Sequence, residues 1–499
     1  MSTAVHTTGK AENDRSFLGH PRGLATLFNI ELWERFSYYG MRAILLYYIV
    51  DTVANGGLGL QDSVGEAIVA TYGAAVYLLS IIGGWAADRL IGPQRSVLLG
   101  GVVIMAGHIS LAVPGSLFSW LGIVLVALGT GFLKPNVSTM VGHLYDDRDV
   151  RQDQAFTIFY MSINIGAFFS PFVVAWLKSH WGYHAGFAAA AVGMAVALVA
   201  YLIGKRTLAD ESIRVPNPLS SEERRRVPVL ALGLLALVAA AIGVARLWRE
   251  TWPEAIADGI FILSLVASVA YFVTMFRSSK VEPVERKHLW AYLPIWLAAV
   301  AFWMIFEQAA VKLASYGKNR TDLGSLGFEW NPEWFQSVNP ISIIVLAPLF
   351  AMLWAARSGK FPSTAAKIAL GVSIVGLTFI FLAWASLTFP GATSPVWVLV
   401  LVFVVQTVAE LCLSPVGLSA TASLAPKAFA SQAMALWFLS SATGQSIAGQ
   451  LILAMEGMED HVFFLTTGGI AIVFGLLLFL LVPKVSRLMA DAEPERLAH

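Results

Sequence analysis

The sequence predicts an all-α polytopic membrane protein of fourteen transmembrane helices, built as two six-helix bundles with two extra helices inserted between them. Three observations carry that reading. Of 499 residues, 57% are apolar and only 13% charged, and the mean hydropathy is +0.69. Soluble domains carry roughly 25% charged residues, and so few charges cannot cover the polar exterior that a water-soluble fold of this length needs. The apolar residues also gather in runs near the ~20 residues a helix needs to cross a hydrocarbon core ~30 Å thick. Lysine and arginine then divide very unequally between the two sides of those runs. A net charge of +1 without a basic stripe excludes a nucleic-acid partner. The single cysteine, Cys412, excludes an internal disulfide and a cysteine metal cluster.

In chain order the expected spans are 25–50, 67–90, 96–114, 117–143, 155–178, 184–204, 227–248, 257–277, 288–315, 337–357, 365–387, 396–424, 429–454 and 462–483. Residues 1–24 open with polar His6, Lys10, Asp14 and Arg15, so they read as a cytoplasmic tail and not as a cleavable signal peptide. The first six-helix bundle is expected over 25–204. The stretch 205–226, KRTLADESIRVPNPLSSEERRR, is polar, basic and proline-bearing, and reads as a cytoplasmic linker. Two Leu/Ala/Val-rich spans without interior charges and their loop occupy 227–287, where a lipid-facing structural role is expected. The second bundle covers 288–483, and 484–499 forms a cytoplasmic tail. Only Lys178, Arg246, Arg249, Lys318 and Arg320 fall opposite the remaining loop cations, which places both termini in the cytoplasm. Six plus six spans is the paired-half pattern of many secondary transporters.

Charges inside spans are costly, at least ~2.5 kcal/mol each on insertion scales, so each calls for a partner or a function. Span one reads NIELWERFSYYGMR and places Glu31, Glu34, Arg35, Tyr38 and Arg42 on one helical face, which must point inward. Glu31 and Arg35 are spaced for an ion pair on their own helix. Lys134, mid-span in GTGFLKPNVSTM and followed by the helix-bending Pro135, needs an anion: Glu31, Glu34 or a substrate carboxylate. Tyr160 and Asn164 lie four apart in FYMSINIGAF, with Gly166 allowing close helix approach. In the second half, FWMIFEQAAVKL carries Glu307 and Lys312, and AELCLSP carries Glu410 before Pro415 with no base on its own helix. Asn339, Trp437 and Ser441 are further candidates to line a cavity. The spans bearing Lys134 and Glu410 hold the same ordinal place in the two halves. A cavity between opposite charges so disposed would suit a zwitterion, with Tyr38, Tyr39, Tyr77 and Trp437 as aromatic walls.

Residues 31–40, ELWERFSYYG, resemble the ExxERFxYYG signature of the proton-dependent oligopeptide transporter family, within the major facilitator superfamily. GGWAADRLIG at 83–92 resembles the superfamily's cytoplasmic loop motif, and GFLKPN, FYMSINIG, FEQ at 306–308, WFQSVNP at 334–340 and ELCLSPVGLS resemble further family signatures. The resemblance implies the major facilitator fold and proton-driven uptake of di- and tripeptides across a bacterial inner membrane. By motif position, Arg35 and Lys134 would bind the peptide carboxylate. Glu410, with Asn164 and Asn339, would receive the amino terminus, while Tyr38, Tyr39 and Tyr77 shape the pocket, with Trp437 and Ser441 beside them. Glu31, Glu34, Arg35 and Glu307 would be proton-linked, Arg42 and Glu307 would form an outer gate, and Lys134 and Glu410 are also expected among the gating charges. Mammalian relatives carry a histidine on span two where this sequence has Gly73, so coupling here would rest on carboxylates, and His108 is expected to pack. The expected partners are small peptides, protons and the lipid bilayer, with no cofactor beyond protons, for a monomer. Other cargo, such as nitrate, a drug or a peptide-like antibiotic, and a passive channel are the alternatives. No metal-ligand cluster, phosphate-cradling loop or serine–histidine constellation supports an enzyme.

Overall fold

The computed structural model describes residues 14–146, 149, 151–357 and 361–489. The outer parts of both expected tails, and the loop cations Arg148 and Lys360, lie outside the described residues. The apolar runs form helices α1 (Arg22–Val50), α2 (Asp62–Ala86), α3 (Pro93–Ala112), α4 (Ser116–Gly142), α5 (Gln152–Trp181), α6 (Tyr183–Gly204), α7 (Ser221–Ala245) and α8 (Trp252–Arg277). They continue with α9 (Pro283–Phe306), α10 (Lys312–Asn319), α11 (Val338–Ala356), α12 (Thr364–Thr388), α13 (Val396–Leu424), α14 (Ala430–Ala454) and α15 (Asp460–Met489). Two-residue strands, Thr321–Asp322 and Ser394–Pro395, pair in parallel.

Four of the expected spans differ from the observed helices for stated reasons. Helix α7 starts at Ser221, inside the stretch read as linker. Ser220 and Glu223 cap each other's backbone N–H groups at 2.9 and 3.2 Å, and Arg226 pairs with Glu222 at 2.7 Å one turn on. Helices α2 and α15 start at Asp62 and Asp460 rather than at 67 and 462, because charged first turns fall outside an apolar window yet suit a helix N-terminus. The largest departure is the span expected at 288–315. It stops at Phe306, passes through a 3-10 turn at Glu307–Ala310, and resumes as α10 after Val311 at φ −124° and ψ −103°. Gln336 Nε2 donates to the Ala309 carbonyl at 2.6 Å, satisfying one backbone acceptor that the break releases.

Contacts divide the chain into two compact units. One comprises the residues up to Tyr48 with Val53–Leu58 and Leu78–Leu232, and the other comprises Ile49–Thr52, Gly59–Tyr77 and the residues from Gly233 onward. Within the first, glycines bring α3 and α4 together backbone to backbone. A Cβ on Gly129 would meet the Gly100 carbonyl at 2.6 Å, and one on Gly107 would meet the Gly122 carbonyl at 2.9 Å. Gly129→Ala is therefore expected to destabilise the detergent-solubilised protein by about 1–3 kcal/mol. Gly233→Ala on α7, where a Cβ meets nothing within 4 Å, should leave thermal unfolding unchanged or raise it. In the second unit the same device joins α12 to α15, through Gly376 and Gly468.

The linker does not hang free: the Asn217 amide donates to the Asp88 carbonyl at 2.9 Å, and Arg89 pairs with Glu223 at 2.9 Å. Of the two inserted helices, α7 exposes Val229, Leu230, Leu232, Leu235 and Leu237, a lipid-type surface. Helix α8 lies along α14, with Ser264 beside Ser446 and Ser268 beside Thr443, each at 3.2 Å. The expectation that this segment lacks interior charge is corrected. Asp258 is buried on α8, accepting from Arg249 at 2.9 Å and from Trp248 Nε1 at 2.6 Å. That pair fastens the α7–α8 turn, so its role is structural.

Candidate functional site

In the first unit the ELWER face of α1 points inward: Glu31, Glu34, Arg35 and Tyr38 are all buried. Arg35 Nε lies 3.2 Å from Glu31 Oε1, the expected four-residue pair, and also donates to Glu34 Oε2. The Arg35 guanidinium stands 5.2 Å over the Tyr38 ring, and Tyr38 meets Tyr39 edge to face at 5.2 Å. Lys134, in α4 just before the in-helix Pro135, acts electrostatically on Glu31, so an expected anion of the lysine is this one. Two acids and two bases thus form one group, its three α1 members buried and Lys134 on α4 half-buried. Arg42 lies two turns beyond Arg35, partly exposed. Asn164 is buried on α5 and its amide donates back to the Tyr160 carbonyl at 3.0 Å. A Cβ on Gly166 would fall 2.3 Å from the Leu32 carbonyl, so α5 does press against α1 at that glycine. His108 is fully buried with neither ring nitrogen hydrogen-bonded among the described residues, in keeping with a packed side chain.

In the second unit Glu410 on α13 accepts from Asn339 Nδ2 at 3.1 Å, and the same amide donates to Thr407 Oγ1 at 2.9 Å. Glu307 acts on Glu410 as a neighbouring like charge. With no base on its own helix, Glu410 is expected to take its counter-ion from another helix or from a ligand. Within this unit its neighbours are an amide and a second carboxylate. Glu307 itself is buried at the start of the helix break, and Gln308 beside it is buried with both amide atoms unpaired among the described residues. On α14, Trp437 is buried where a Cβ on Gly417 of α13 would stand 2.1 Å from its ring, and Ser441 accepts from Gln445 Nε2 at 3.2 Å. Gln445 also fills the place of a side chain at Gly73, where a Cβ would meet its Oε1 at 1.8 Å. Tyr77 stacks on Phe438, with centroids 6.5 Å apart.

One cluster escaped sequence reading. Lys312 Nζ lies 3.3 Å from Asp460 Oδ1 and 3.9 Å from Glu66 Oε2, and Arg320 Nε lies 2.6 Å from Asp460 Oδ2. Lys312 is visible in its motif, but both acids stand at helix edges that hydropathy assigns to loops.

Long apolar helices carrying buried, mutually balanced ionic groups and a discontinuous span define a multi-pass membrane protein of the secondary-transporter class. The family model of the POT family matches residues 94–462. A di-/tripeptide transporter of Lactococcus lactis subsp. cremoris is 42% identical over 96% of this chain and 99% of its own length. An uncharacterised transporter of Bacillus subtilis is 44% identical over 96% of this chain and 97% of its own. A crystal structure of peptide transporter POT in complex with sulfate matches with TM-score 0.90 at 43% identity, covering 95% of this chain and 96% of that one. The chain belongs to the POT family, and its fold is the major facilitator fold.

Proposed function

We propose that this chain is a proton-coupled symporter that imports di- and tripeptides by alternating access. The observation that carries this reading is the pair of ionic clusters of unlike composition: a balanced Glu31–Glu34–Arg35–Lys134 group in one unit, and a carboxylate–amide group, Glu410 with Asn339, in the other. A free peptide has one cationic and one anionic end, and each cluster complements one of them. The name of the Lactococcus relative, a di-/tripeptide transporter, supports the same cargo. The chain is read as a monomer of the bacterial inner membrane with both termini cytoplasmic, using no cofactor and catalysing no covalent step.

In this mechanism the peptide carboxylate competes with Glu31 and Glu34 for Arg35 and Lys134. An acid deprived of its cation inside a low-dielectric interior is stabilised by taking up a proton, so peptide and proton enter together. Glu410, assisted by Asn339 and Asn164, receives the peptide ammonium, with Tyr38, Tyr39, Tyr77, Trp437 and Ser441 shaping the walls. Glu307 and Arg42 serve as the outer gate, with Lys134 and Glu410 among the gating charges, and release inside re-forms the pairing of the ExxER acids with Lys134. A membrane potential of 100 mV supplies ~2.3 kcal/mol per proton and each pH unit ~1.4 kcal/mol, enough for several-hundred-fold accumulation.

Uptake of labelled dialanine into proteoliposomes tests the reading. Uphill accumulation should collapse with a protonophore, and unlabelled dipeptides should compete where nitrate and N-blocked antibiotics do not. Accumulation that ignores the protonophore, or competition by nitrate alone, would refute it. Glu307→Gln is expected to keep peptide-for-peptide exchange while losing accumulation; retained proton-driven accumulation would clear Glu307 of proton duty.

A further inference from the structure

Helix α7 begins with three consecutive arginines, Arg224, Arg225 and Arg226, and from Val227 to Ala245 it carries no charge at all. At 1.5 Å per residue that uncharged stretch is ~28 Å long, close to the ~30 Å of a hydrocarbon core. With the stretch in hydrocarbon, the arginines stand at the depth of the lipid headgroups. Their side chains lean toward the start of the helix, away from the core. The acids of the same turn are already engaged: Glu222 pairs with Arg226 at 2.7 Å and Glu223 with Arg89 at 2.9 Å.

Two cations are left over. The Arg224 and Arg225 side chains are exposed and have no ion-pair or hydrogen-bond partner among the described residues. The helix that continues from them is bare, since of the α7 residues only Ala241 and Ala245 are buried. Arg225, Val229 and Leu232 follow at steps of four and three along one helical face, and the two apolar side chains are 70% and 67% exposed. An available guanidinium therefore heads an apolar stripe that faces lipid.

We propose that the start of α7 is a binding surface for an anionic phospholipid, with the phosphate held by Arg224 and Arg225 and an acyl chain lying along Val229 and Leu232. A guanidinium presents paired N–H donors that match two phosphate oxygens. A zwitterionic headgroup fits less well, because its own cation meets three adjacent arginines of like charge. An acidic protein segment would answer the charge but leave the apolar stripe uncovered. A lipid with a net negative headgroup satisfies both halves of the surface at once.

Native mass spectrometry of the full chain in detergent, titrated with dioleoylphosphatidylglycerol and separately with dioleoylphosphatidylcholine, tests this. Saturable binding of the glycerol lipid is expected at concentrations where the choline lipid does not associate. Arg224→Gln or Arg225→Gln alone should weaken it about fivefold, and the two together about thirtyfold. All three positions of change are exposed, so thermal unfolding should stay that of the wild type in each variant. Lys280→Gln with Lys287→Gln removes the same net charge from exposed positions around the start of α9 and should leave binding within about twofold. Glycerophosphoglycerol, the headgroup without chains, should not compete at equal concentration. Equal binding of the two lipids, an equal loss in the lysine pair, undiminished binding in the double arginine variant, or competition by the chainless headgroup would overturn the site.

Discussion

Lys134→Ala is expected to abolish proton-driven accumulation of dialanine, leaving internal peptide no higher than external. Glu31, Glu34 and Arg35 are buried together, and the fourth charge of the group is Lys134, acting on Glu31 from α4. With it the cluster balances; without it one carboxylate charge is left over in a region where an unpaired charge costs several kcal/mol. The cheapest relief is a proton held permanently by the cluster. Such a proton no longer responds to peptide arrival, so the gradient is disconnected from cargo even if the bundle folds normally. Lys134→Arg should restore part of the coupling, since it returns the charge if not the shape. Accumulation at the wild-type level in Lys134→Ala would remove this residue from the mechanism.

Glu410→Gln is expected to separate two classes of peptide. The substituted amide keeps a hydrogen-bonding group beside Asn339 but loses the negative charge. A hydrogen bond to a charged group is worth about 1.5–3 kcal/mol, so affinity for free dialanine should fall by roughly ten- to a hundred-fold. N-acetyl-dialanine has no ammonium to lose, and its weaker binding should be nearly unchanged. Competition curves for both ligands on one preparation read this directly. An equal loss for the two would mean the amino end is recognised elsewhere.

Much of this molecule can be read from spacing alone. Four-residue periodicity brings Glu31 to Arg35, and the cost of charge in lipid turns that face inward, as found. Lys134 needs an anion for the same reason, and Gly166 has the small size that close approach to α1 requires. What resisted reading is of two kinds. The interruption at Glu307–Ala310 contains neither proline nor glycine, so no local breaker announces it; its acceptor is satisfied by Gln336, nearly thirty residues on. The Glu66–Lys312–Asp460 cluster is tertiary. Each acid sits in the opening turns of its helix, where hydropathy sees a loop end, and only folding brings both beside Lys312.

The divided span from Pro283 to Asn319 also sets how the protein meets lipid. As an unbroken helix its 37 residues would form a rod ~55 Å long, against ~40–45 Å for a bilayer with its headgroups. Interrupted at Glu307–Ala310, the length is carried instead by helices of 24 and 8 residues, about 36 and 12 Å long. The first piece alone crosses a hydrocarbon core of ~30 Å, so the stretch after the break is not needed to complete the span.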